Sequence, residues 1–129
     1  MSIAKLERWI EMLPPQELTQ PVLIVDGRSL TPLQMLSEAK EGTEIGRKAQ
    51  TLWEGGAVGT EEEMLIERIK KRFARYPADK PIFRVLGTPS VLTPGDILAN
   101  VEAKTETGKK WIRSERTYLH YLDRLRERV

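Results

Sequence analysis

An internal repeat constrains this chain more than any other feature of its sequence. Residues 30–48 return 62 positions later as residues 92–110. Leu30-Thr31-Pro32, Leu36, Thr43-Glu44, Gly46 and Lys48 reappear as Leu92-Thr93-Pro94, Leu98, Thr105-Glu106, Gly108 and Lys110. Eight of 19 ungapped positions are identical, and Met35/Ile97 and Arg47/Lys109 are conservative pairs. A repeated stretch implies a repeated supersecondary unit, with neighbouring copies covering each other's apolar faces.

Each copy reads as strand, turn, short helix and second helix. Residues 21–27 (Pro-Val-Leu-Ile-Val-Asp-Gly) form a short β-branched run closed by the Asp-Gly turn signal. Residues 81–87 are the matching strand. Thr31 and Thr93 are N-caps, each followed by a proline suited to the first helical position. Gln34 and Asp96 stand three residues on, as a capping box requires. Gly42 ends the short helix of the first copy, and Thr43 and Thr105 cap the second helices. The first of these stops at Gly55-Gly56. The other meets no breaker after Gly108 and reaches roughly 35 Å if helical to the last residue.

Two helices lie outside the copies. Ile3, Leu6, Trp9, Ile10 and Leu13 mark a first one, capped by Ser2 and ended by Pro14-Pro15. Residues 16–20 read as a connector with one apolar residue, Leu18. A helix over residues 60–76 follows, capped by Thr60, acidic at its start and basic at its end. The predicted fold is therefore mainly α with two short β-strands: an internally duplicated strand-turn-helix-helix unit, pseudo-twofold, in a single compact domain. Residues 1–129 form that domain, with repeats at about 21–56 and 81–129 joined by helix 60–76. The simplest arrangement pairs the two strands with each other across the pseudo-twofold axis.

Composition narrows the function classes. The chain has 129 residues, 31% charged and 40% hydrophobic, as expected of a globular domain with a charged surface. No apolar run approaches the roughly 18 residues of a membrane span, so no membrane partner is expected. There is no basic-then-apolar leader, and with no cysteine the expectation is a cytoplasmic protein. One histidine, His120, excludes His-based metal clusters, and no nucleophile, base and oxyanion donor converge. The sequence thus predicts no catalysis and no cofactor.

Three surfaces are candidate sites. Thr43, Gly46, Arg47 and Lys48, with Thr105, Gly108, Lys109 and Lys110, place a hydroxyl, a glycine and cations at a helix N-terminus, which suits an anion. The competing reading makes each glycine a close-packing residue, with Glu44 and Glu106 opposing an anion. The helix pairs invite a helix-turn-helix reading, but the breaks at Gly42-Thr43 and Lys104-Thr105 are tighter than a three- to four-residue turn. Lys70, Lys71, Arg72 and Arg75, with Lys109, Lys110, Arg113 and Arg116, are candidate phosphate contacts for nucleic acid. Residues 109–129 carry seven cations against three acids, a net +4, although the whole chain is only +2. Trp111, Tyr118, Leu122, Leu125 and Val129 mark an apolar stripe on the long last helix, read as an interface with a second copy. The leading expectation is a non-enzymatic interaction protein (adaptor, regulator or assembly component) acting as a homodimer on an unknown protein partner. The alternative is a nucleic-acid-binding protein.

Overall fold

The computed structural model describes residues 3–80, 83–84 and 91–129. The chain is mainly helical. Its elements in order are α1 (Ile3–Met12), β1 (Leu23–Val25), β2 (Arg28–Leu30), α2 (Pro32–Glu41), α3 (Glu44–Glu54) and α4 (Glu62–Phe73). Then come β3 (Phe83–Arg84), β4 (Val91–Leu92), α5 (Pro94–Ala103) and α6 (Glu106–Arg124). A 3-10 turn, Pro15–Glu17, follows α1, and another, Leu125–Arg128, follows α6. The Ser2 cap and most of the strand expected over residues 81–87 lie outside the described residues.

The two strands do not pair with each other. Each belongs to its own antiparallel hairpin, β1 with β2 and β3 with β4. The reason is local. Asp26 and Gly27 have φ of 51° and 78°, the left-handed pair that a two-residue hairpin turn requires, so the chain folds back at once. Leu23 then faces Leu30, and Phe83 faces Leu92. The leucines are 62 residues apart and Leu23 and Phe83 are 60 apart, so the second hairpin is two residues longer.

The repeated cap chemistry is present in both copies. Thr31 Oγ1 accepts from Gln34 N at 3.1 Å while Gln34 Oε1 accepts from Thr31 N at 2.9 Å. Thr93 and Asp96 make the same reciprocal pair at 3.0 and 3.1 Å. The short helices end on a left-handed residue, Gly42 in one and Lys104 in the other, at φ 69° and 53°. A Cβ on Gly46 would meet the Glu38 carbonyl and lie 2.8 Å from Ala39 N. One on Gly108 would meet the Asn100 carbonyl and lie 2.8 Å from Val101 N. The missing side chain is what lets α3 lie on α2 and α6 on α5. Thr60 does not cap α4: its hydroxyl donates to Ala57 O at 3.0 Å, and Glu61 holds the cap position without a side-chain bond.

The core is continuous. Trp9 and Trp53 meet with ring centroids 5.6 Å apart, and Trp9 Nε1 donates to Leu122 O at 2.8 Å. Leu6, Met35, Leu65, Ile69, Ile97 and Leu119 are fully buried around them. α1 packs against α2 and the turn after α6, while α4 packs against both α5 and α6. α6 has 19 residues, about 28 Å. It does not project beyond the rest of the molecule: Leu122 and Leu125 are 1% and 7% exposed within the single chain. Of the apolar stripe read from sequence as an interface with a second copy, Leu122 and Leu125 are covered by the chain itself, while Trp111, Tyr118 and Val129 are half-buried.

Candidate functional site

α4 and α6 each turn a charged residue inward from an apolar face. On α4, Met64, Leu65, Arg68, Ile69 and Phe73 are buried, with Arg68 fully enclosed. On α6, Glu115 is 2% exposed between Ile112 and Leu119. The 3-10 turn at Pro15–Glu17 supplies a third buried charge, Glu17, also 2% exposed. Buried charges need partners, because an isolated one carries a desolvation cost of several kcal/mol.

They partner one another. Arg68 Nη2 donates to Glu17 Oε2, and Arg68 Nη1 donates to Pro21 O at 2.9 Å. Arg68 Nε stands 3.4 Å from Glu115 Oε1. Arg72, one turn further along α4, donates from Nη1 to Glu115 Oε2 at 2.9 Å. Its Nη2 lies 2.7 Å from Glu115 Oε1 and 3.7 Å from Glu17 Oε1. The contacts to Glu115 Oε1 are ion pairs outside hydrogen-bond geometry, so that oxygen and Arg68 Nε are held by charge alone. Tyr118 flanks the cluster: burial first, then the Glu17 charge, holds its hydroxyl above the usual 10.0. Lys71 Nζ donates to Thr19 O, and Gln20 Nε2 donates to Arg68 O at 3.4 Å. Residues 16–21 are thereby fastened along α4.

Glu17, Arg72 and Glu115 of the network line an open hollow of about 290 Å³, walled further by Arg75 just beyond the end of α4 and by Trp111 and Tyr118 from α6. Phe73 backs it, edge-on to Trp111 at 5.4 Å and 84°. Arg75 lies over the Tyr76 ring at 5.5 Å. A second hollow of about 310 Å³ adjoins it on the side of Lys71 and Thr19 and shares Glu17, Arg72 and Arg75. Fixed charges of both signs beside aromatic walls can orient a polar ligand that also has an apolar part.

The other candidate residues are placed as follows. Thr43 Oγ1 accepts from Gly46 N at 3.0 Å and donates to Glu38 Oε2 at 2.5 Å. Arg47 donates to Gly42 O at 2.6 Å, and Lys48 binds Asp26 at 2.8 Å and Glu44 at 3.4 Å. The Asp26 carboxylate raises the Lys48 pKa above its usual 10.5. In the second copy Thr105 accepts from Gly108 N at 3.1 Å and donates to Asn100 Oδ1 at 2.7 Å. The threonine side chains thus cap both helices, and in the first copy the Glu38 carboxylate holds the Thr43 hydroxyl. Among the cations proposed for phosphate, Lys70 binds Glu102 at 2.6 Å and Lys109 lies 3.8 Å from Glu106. Lys109, Arg113 and Arg116 share a hollow of about 240 Å³ with Glu62. Lys110 is exposed beside Trp111 and Ser114. Trp111, Tyr118 and Val129 are half-buried against the core, which already contains Leu122 and Leu125.

Glu17, Arg68 and Glu115 are absent from the sequence-derived candidates. For two of them a signal exists. Arg68 falls three and four residues from Leu65 and Met64, and Glu115 three from Ile112 and four from Leu119, so both charges sit at core spacing. Glu17, in a proline-led connector, carries no such periodicity. Comparison with known protein families, with characterised proteins and with solved structures gives no match.

Proposed function

We propose that the chain is a non-enzymatic interaction protein, an adaptor, regulator or assembly component, which recognises its partner at the cleft between α4 and α6. The observation that carries this is the composition and fixation of the cleft. Trp111, Tyr118, Arg72 and Arg75 converge on one hollow, and Trp, Tyr and Arg are the side chains that dominate binding energy at protein interfaces. Arg72 is tied to Glu115, so less conformational entropy is lost when it is covered.

The nucleic-acid reading has less support. The basic clusters are interrupted by Glu102, Glu106, Glu115 and Glu62, whereas phosphate binding draws on an unbroken cationic surface. A homodimer formed through the last helix is not part of the proposal, since Leu122 and Leu125 already have their cover.

The test is affinity capture from the cell that makes the protein. The wild-type chain is compared with a Trp111→Ala/Arg75→Glu variant whose fold is verified by circular dichroism. One or more proteins should be retained by the wild type and lost by the variant. An identical set on both, or an empty one, sinks the reading.

A further inference from the structure

The charge of the cleft specifies its partner further. Glu17 and Glu115 on the floor are matched by Arg68 and Arg72. Three exposed cations, one on the hollow and two beside it, have no carboxylate partner among the described residues. Arg75 stacks on Tyr76 and has no carboxylate partner among the described residues. Among the described residues Lys71 bonds only a neutral backbone carbonyl, that of Thr19. Lys110 stands on the far side of Trp111, next to Ser114. Positive charge therefore surrounds half-buried aromatic walls.

Resting on the interaction reading above, we propose that the cleft docks a protein segment in which acidic side chains flank an aromatic or large aliphatic anchor. The anchor enters the hollow of about 290 Å³ between Trp111, Tyr118 and Ile69. Its neighbours' carboxylates reach Arg75, Lys71 and Lys110. Glu17 and Glu115 on the floor are buried and held by Arg68 and Arg72, so a ligand meets a charge-balanced, enclosed floor and is selected by the nearby cations and the aromatic walls. Trp111 is engaged edge-on by Phe73 and only half exposed, so it forms a wall where base stacking needs an open ring face.

The experiment is selection of a random dodecapeptide display library on the purified full chain, followed by affinity measurement on synthesised winners. Winning peptides should carry Asp or Glu within a few residues of an aromatic or large aliphatic residue. Their affinity should fall about tenfold with Arg75→Glu and again with Lys110→Glu, and should weaken as salt is raised. Both substitutions are at exposed positions, and their melting temperatures serve as fold controls. Neutral or basic winners that still depend on Trp111 overturn the acidic partner and leave the interaction reading standing. Winners indifferent to Trp111, Arg75 and Lys110 overturn both. Displacement of an acidic winner by oligothymidylate gives the cleft to nucleic acid instead. Displacement by self-association, read as a doubled mass in light scattering, gives it to a second copy.

Discussion

Arg68 touches two carboxylates and a backbone carbonyl without exposing any surface. Such a residue couples three segments that are distant in sequence: the Pro15–Glu17 turn, α4 and α6. Its contribution cannot be assigned to a single pair. Removing one partner leaves a buried charge uncompensated, which costs about 3–5 kcal/mol, more than the pair itself contributes net. Arg68→Met and Glu115→Gln should therefore each destabilise by about that amount in urea unfolding. The double variant should be less destabilised than the sum, because each change removes the charge that the other leaves stranded. Additivity within about 0.5 kcal/mol would mean that the residues act independently and that the network is not one unit. The spacing of Arg68 and Glu115 in the sequence puts both on buried faces. It does not say that those faces meet, nor that Glu17 completes the set. Those facts depend on how α4 and α6 cross and on where the chain runs after Pro14-Pro15.

The elements themselves were largely legible, because their ends are written in local chemistry. The capping boxes at Thr31 and Thr93, the proline after each and the threonines before α3 and α6 all act within four residues of themselves. The return strands were not legible. Arg28-Ser29-Leu30 is too short and too polar to show a strand period, and it exists because Asp26-Gly27 turns the chain back onto β1. Thr60 shows the opposite failure: the right residue for a cap sits one position early and spends its hydroxyl on Ala57. Gly46 and Gly108 give the prediction at this scale. Alanine in place of a helical glycine ordinarily stabilises by about 0.5–1 kcal/mol. Here the added methyl runs into the backbone of the partner helix, so Gly46→Ala and Gly108→Ala should each destabilise, by about 1–3 kcal/mol. Thermal melting decides it, and a raised midpoint in either variant would refute the close-packing role.

At the scale of the whole molecule, the sequence conveyed a mainly helical body but not how its ends are used. The apolar stripe on α6 suggested a surface awaiting a second chain. It is instead shared with α1, through Trp9 and the turn at Leu125–Arg128. Helical periodicity identifies an apolar face, and which surface covers it is decided by tertiary packing. Deleting residues 119–129 would strip Leu119, Leu122 and Leu125 from the core together with the Trp9 bond. The truncated chain should lose its cooperative melting transition in circular dichroism. A sharp transition close to that of the full chain would mean that α1 finds other cover. The same closure sets a timetable for synthesis. Trp9 and the Leu122 carbonyl it binds are 113 residues apart. A ribosome adding about 5–20 residues per second would take roughly 6–23 s to span that gap. For that interval Leu6, Trp9 and Ile10 have emerged without the last turns of α6 that seal them, a window in which the nascent chain is open to chaperones and to aggregation.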